Sequence, residues 1–228
     1  MSPSYDMTDL SVVMGTYNEE AAVAQVLEDI ERVTDGQAEV VCVDGSTDDT
    51  AAIARSMGAT VIEQSPQGYG VALQEALQAA SGAVVVTTDC DDTYPMEAIP
   101  RFLEQINDGA DVVSGDRLRY GADRMPAFNR LGNIAFALVA SLLLGHRVRD
   151  VTTGMRAYRR EVVRMIRWTE NTGLSAELLM RPIARGYTVR EDPIEYGSRL
   201  GETTLDPLTG GLEIFGSILS VWGDERGR

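Results

Sequence analysis

Lysine is missing from all 228 residues, so the 20 Lys+Arg side chains are all arginine. That excludes the phosphate-gripping lysine of a P-loop, Schiff-base chemistry and the lysine on which haloacid-dehalogenase phosphatases depend. Histidine occurs once, at His146, so a Ser-His-Asp triad would have to be built there. The only cysteines are Cys42 and Cys90, too few for a disulfide framework or a structural zinc site. Met1 to Leu10 is polar rather than basic-then-apolar, which sets the expectation of a cytoplasmic chain. The two apolar segments, Ile134–Gly145 and Leu208–Trp222, fall short of the ~20 residues of a bilayer span, so no transmembrane helix is expected.

What is present suits one globular domain, or one domain with a sizeable appendage: 44% hydrophobic and 24% charged residues. Acidic residues number 35, giving a net charge of -15, and carboxylates with arginine in place of lysine suit the salty cytoplasm of a halophile. The charge is uneven. Residues 1–116 carry 3 Arg against 22 Asp+Glu, net -19, whereas residues 117–228 carry 17 Arg against 13, net +4. Arg117 to Arg167 alone holds 11 Arg against Asp123, Asp150 and Glu161, which points to an anionic partner for that stretch.

Valine-rich runs at Leu10–Met14, Glu39–Val43, Thr60–Glu63, Ala83–Thr88 and Asp111–Ser114 read as strands. Helical patterns at Glu19–Val33, Thr50–Met57, Tyr69–Ala80 and Met96–Asn107 lie between them, with Asp48 or Asp49 as an N-cap. The alternation predicts a mostly parallel, Rossmann-like α/β sheet with helices on both faces. Beyond Arg117 a loop holding Gly121 and Pro126 leads to the apolar Ile134–Gly145; helices at Arg160–Arg167 and Ser175–Ala184 and a strand near Tyr187–Tyr196 follow.

Ligands of such sheets bind outside the carboxyl ends of the strands. There the sequence places Tyr17-Asn18-Glu19, Asp44-Gly45-Ser46-Thr47-Asp48, Gly68-Tyr69-Gly70 and Asp89-Cys90-Asp91. Carboxylates two residues apart past a strand end, as Asp89 and Asp91 are, can hold one hard divalent cation on the phosphates of a nucleotide. The same string fits a D-x-D-x-T phosphatase motif with Asp89 as nucleophile, but that chemistry lacks its lysine here. Gly68-Tyr69-Gly70 has no third glycine and follows the third strand, which argues against NAD.

In this order and spacing the elements resemble the family 2 glycosyltransferases, of GT-A fold. Tyr17-Asn18-Glu19, Asp44 to Asp48, Gly68-Tyr69-Gly70-Val71-Ala72 and the D-x-D carry the likeness. Gly115-Asp116-Arg117, Asp150 to Arg156, Glu177-Leu178-Leu179 and Arg199 to Leu205 narrow it to the polyprenyl (dolichyl) phosphate sugar synthases. Val43, Thr93 and Thr203-Thr204 depart from that branch's pattern.

The resemblance implies an inverting transfer of a hexose, mannose or glucose, from a GDP- or UDP-linked sugar to dolichyl or polyprenyl phosphate. An anionic lipid phosphate attacks without a strong general base. Asp89 and Asp91 would hold Mg2+ or Mn2+. Tyr17 and Asp44 would hold the nucleoside, Glu19 the ribose or base edge, and Arg199 the donor diphosphate. Arg117 and Arg130 would meet the acceptor phosphate. Residues 1–116 would then form the nucleotide-sugar half, 117–207 the acceptor half and 208–228 an amphipathic segment. The apolar segments would lie at the inner face of the cell membrane, and no nucleic-acid partner is expected. The rival readings are a saccharide acceptor, which needs a positioned base, and a non-catalytic nucleotide-sugar or lipid-phosphate binding module.

Overall fold

In the computed structural model, which describes residues 4–119, 125–200 and 207–227, one seven-stranded sheet runs through both halves of the chain. Its strands are β1 (Leu10–Thr16), β2 (Glu39–Asp44), β3 (Thr60–Glu63), β4 (Val84–Thr87), β5 (Val112–Asp116), β6 (Arg156–Arg159) and β7 (Val189–Pro193). Their order is β3-β2-β1-β4-β6-β5-β7. Every pairing is parallel except those of β6, which runs antiparallel between β4 and β5, with Val86 opposite Ala157 and Val113 opposite Ala157 on the other side.

Strand β6 is absent from the sequence reading because Arg-Ala-Tyr-Arg has neither apolar continuity nor alternation. It is nonetheless wholly buried, and its arginines are tolerated because most of their donors find partners, Arg156 Nη1 being the buried exception. Arg156 Nε donates to Ser114 Oγ at 3.0 Å and Nη2 to the Val151 carbonyl at 3.0 Å. Arg159 donates to the Ile106 and Ala110 carbonyls, capping the helix that precedes β5.

Helices α1 (Val23–Thr34), α2 (Thr50–Ser56) and α4 (Ala98–Asn107) cover one face of the sheet. Helices α3 (Tyr69–Ala79), α6 (Arg160–Met165) and α7 (Leu174–Ala184) cover the other. A third core forms where α5 (Ala127–Leu144), α7 and α8 (Pro207–Arg226) meet. The start of α1 differs from expectation, and the start of α2 shows which of two acids caps it. Helix α1 starts at Val23, not Glu19, because Asn18 adopts φ +56° and residues 19–22 form a separate turn. Asp48, rather than the N-cap residue Asp49, satisfies the start of α2: its Oδ1 accepts from the Thr50 amide at 3.0 Å.

Helix α5 is the larger correction. It begins seven residues before Ile134, reaches 18 residues, and by length and composition is apolar enough to cross a membrane. Only Ala137 and Ala140 are buried, while Phe128, Leu131, Ile134, Leu138 and Leu142 are exposed, Leu142 by 74%. At 100° per residue these five fall on one stripe, so the helix turns its apolar side outward. Helix α8 does this in part: Ile218 and Val221 are in the core, and Leu212, Phe215 and Leu219 are exposed.

Candidate active site

The strand order reverses between β1 and β4, the place where α/β sheets open a crevice. A cavity of about 540 Å³ lies there. Of the residues singled out from sequence, Tyr17, Glu19, Asp89, Asp91 and Arg199 line it. Asp44, Arg117 and Arg130 do not.

Short bonds between neighbouring loops build the floor. Asn18 Oδ1 accepts the Thr47 amide at 2.9 Å, and Ser46 Oγ accepts the Asn18 amide at 2.7 Å, which ties the turn after β1 to the turn after β2. Asp44 lies beneath that tie. Its carboxylate accepts Thr16 Oγ1 at 2.6 Å, Ser46 Oγ at 2.7 Å and the Ser46 amide at 3.0 Å. Expected to hold a nucleoside, it is buried and engaged inside the protein, and Gly45 beside it reaches the cavity instead.

After β4 the D-x-D turn closes with Asp92 at φ +62°. Asp91 Oδ1 accepts the Thr93 amide at 3.1 Å and Thr93 Oγ1 at 2.6 Å, and its Oδ2 accepts Arg199 Nη1 at 2.8 Å. The other fork of Arg199 donates to Glu19 Oε1 at 2.5 Å. Asp89 accepts the Tyr69 hydroxyl at 3.1 Å. It also packs on Gly154, where a Cβ would come within 2.8 Å of both its oxygens. Only glycine leaves room for that carboxylate.

Negative charge is crowded here. Burial first, and Asp91 second, push Asp89 up to about 6 against the pull of Tyr69, Arg117 and Arg199. Burial likewise lifts Glu19 to about 7; Arg199 opposes it, and Asp91, Asp89 and Asp48 add to it. Glu19 Oε2 is buried without a hydrogen-bond partner. Two hard carboxylates in a crowded anionic cavity, beside an orphaned third, fit a divalent cation. Among the described residues no group of three His, Cys, Asp or Glu side chains is arranged to hold a metal alone, so a cation would take its other oxygens from phosphate and water.

Arg117 corrects its expected place. Its guanidinium donates from Nε to Asp150 Oδ2 at 2.7 Å, and from Nη2 to Asp150 Oδ1 at 2.9 Å and Thr152 Oγ1 at 2.8 Å. Tyr94 and Tyr196 flank it. A bidentate, buried partner of this kind holds arginine in place. The pair fixes the loop carrying Thr152 and Gly154, both in the cavity wall. Arg130, half-buried on the first turn of α5, stands outside the cavity.

Sequence reasoning gave no role to four contributors. Tyr69 sits in the Gly-x-Gly loop already singled out, and its hydroxyl was the available signal. Thr172 and Ser175, at the head of α7, and Ile214, on α8, join the wall from far along the chain, with no motif to mark them. Asn171 links them to the glycine loop: its Oδ1 accepts the Gly70 amide at 2.9 Å, and its Nδ2 donates to the Gln67 carbonyl at 3.0 Å. His146 is exposed and lies away from this cavity.

Residues 11–167 match the family described as Glycosyl transferase family 2. The chain is 65% identical over 222 residues to a dolichyl-phosphate hexose transferase of Haloferax volcanii, covering 97% of each. It is 28% identical to the dolichol-phosphate mannosyltransferase of Pyrococcus furiosus, covering 86% of this chain but 59% of that longer protein. Among solved structures, glucosyl-3-phosphoglycerate synthase from Mycobacterium tuberculosis, in complex with Mn2+, UDP and glucosyl-3-phosphoglycerate, superposes with a TM-score of 0.75. That match is at 25% identity and covers 98% of this chain and 86% of that one.

Proposed function

The chain belongs to glycosyl transferase family 2, with the GT-A fold, and from that premise we propose that it moves a hexose from a nucleotide sugar to dolichyl or polyprenyl phosphate at a membrane surface. The observation that carries the acceptor is the outward apolar stripe of α5, packed beside α8, whose Ile214 reaches the cavity wall. A lipid acceptor needs such a surface, whereas a sugar acceptor does not. The 65% identical relative, named for transfer to dolichyl phosphate, supports the same reading.

On this reading the first 116 residues handle the donor. Asp89 and Asp91 would hold Mg2+ or Mn2+, which when bound neutralises charge on the departing diphosphate. Tyr17 and Glu19 border the nucleoside side of the cavity, with Asp44 fixing the two turns beneath it. Tyr69 orients Asp89 through its hydroxyl. An oxygen of the lipid phosphate attacks the anomeric carbon, one carbon–oxygen bond forms as that to the diphosphate breaks, and no proton need move. The acceptor half, residues 117–207, contributes Arg130 near the acceptor phosphate, while Arg117 acts from behind by positioning Thr152 and Gly154. Residues 208–228 close the cavity and meet the membrane. Direct displacement inverts the anomeric centre.

The test is a panel of UDP- and GDP-sugars incubated with Mg2+ or Mn2+ and one of three acceptors: dolichyl phosphate in vesicles, 3-phosphoglyceric acid, or a free saccharide. Transfer to the lipid with inversion is the expected result. Transfer to a soluble acceptor alone, or an α-linked lipid product from an α-linked donor, overturns the reading.

A further inference from the structure

Arg199 occupies the one free oxygen of Asp91. Asp91 Oδ1 accepts twice from Thr93, which leaves Oδ2, and Arg199 Nη1 holds that oxygen at 2.8 Å. The backbone on either side of this arginine is pinned to the same turn: the Gly197 amide donates to the Thr93 carbonyl at 2.8 Å and the Leu200 amide to the Asp91 carbonyl at 3.0 Å. The guanidinium is therefore the part that can leave, and about a third of the side chain is exposed. A divalent cation binds carboxylate oxygens at about 2.0–2.6 Å. The arginine hydrogen bond takes one of the two lone pairs of Oδ2 and crowds the approach to the other, and the two positive charges repel. A nucleoside diphosphate removes the conflict, because neighbouring oxygens of one phosphate suit the arginine fork better than the single oxygens of two separate carboxylates, Asp91 and Glu19.

We propose that Arg199 is a built-in counter-cation that trades places with the divalent metal at Asp91, so that metal and nucleotide diphosphate enter the site together. Without nucleotide, the arginine neutralises Asp91 and Glu19 and disfavours metal alone. With nucleotide, it transfers to the diphosphate and Asp91 Oδ2 becomes a ligand. The inference rests on the reading of Asp91 as a metal ligand, and the experiment separates the two.

Binding of Mn2+ is measured by the electron paramagnetic resonance signal of the free ion at fixed ionic strength. Wild type, Arg199→Gln and Asp91→Asn are compared without nucleotide and with saturating UDP or GDP. Arg199→Gln is expected to bind Mn2+ roughly tenfold more tightly than wild type without nucleotide, about 1.4 kcal/mol, and to lose or reverse that advantage with it. Equal or weaker Mn2+ binding by Arg199→Gln without nucleotide, with Asp91→Asn still impaired, overturns the exchange alone. Mn2+ binding indifferent to Asp91→Asn overturns the metal site, and the exchange with it. Thermal melts of both variants establish that each is folded before the titrations are read.

Discussion

Acids are in excess in the first half and arginines in the second, and the fold uses the buried members of the two sets in different ways. Asp89, Asp91 and Glu19 converge on a cavity with Arg199 as their near cation. Arg117, Arg156, Arg159 and Arg181 are instead buried and bound to carboxylates, carbonyls and a serine hydroxyl of the protein itself. These buried arginines act as internal struts where a lysine, with one compact ammonium, could not satisfy so many acceptors at once. Others of the net-positive stretch, Arg119, Arg147, Arg164 and Arg167, are exposed. Beside them the second half turns the apolar stripe of α5 outward.

Substitutions on each side should break the contrast in different currencies. Asp91→Asn should lower kcat by roughly 10²–10³-fold, the scale for losing one preorganised electrostatic group, with its melting temperature within a few degrees of wild type in a differential scan. Arg117→Leu should do the reverse of a surface charge change. It leaves Asp150 buried and uncompensated, at a cost of about 3–5 kcal/mol, or about 10 °C in Tm for a chain of this size, and activity should fall only as the Thr152–Gly154 wall loosens. Leu131→Asp combined with Leu138→Asp should move stability by no more than ~0.5 kcal/mol per site. Flotation with vesicles should be lost and turnover of a short, water-soluble prenyl phosphate kept; retained flotation would remove α5 from the membrane surface.

A smaller effect is expected from Asp116, which is buried with Oδ2 unpartnered. Burial raises its pKa above the usual 3.8, with Asp150 adding to the shift and the Leu118 amide opposing it. The folded state therefore holds the proton to higher pH than the unfolded one, and stability falls as pH rises through that window. Asp116→Asn has no proton to lose. Its Tm relative to wild type should climb from about pH 4 upward and level off toward neutrality, whereas a constant offset would show that the ionised carboxylate is not costly.

The donor side was largely legible in the sequence. Its central strands β1 and β4, and most of β2, are valine runs buried on both faces, so pattern and packing agree, and its acids sit directly after strand ends, where the fold must open. Tyr17, Glu19, Asp89 and Asp91 reach the cavity for that reason, whereas Arg199, named through the resemblance, reaches it from the second half. The second half was less so. Strand β6 hides because buried arginines imitate a polar surface segment. Helix α5 was cut short at Ile134 because Phe128, Leu131 and the intervening polar residues blur the apolar run, and no periodicity says which face looks out. Arg117 was misplaced because a sequence does not show that Asp150, 33 residues later, meets its guanidinium.

Helix α8 faces three ways. Ile218 and Val221 are seated in the core, Ile214 is in the cavity wall, and Leu212, Phe215 and Leu219 are turned outward. Arg181 also clamps it through Asp224 and Glu225. Trimming the chain before residue 208 to obtain a better-behaved protein would therefore uncover a core and open the cavity wall in one cut. A soluble form is better sought by repainting the three outward side chains and leaving the helix in place.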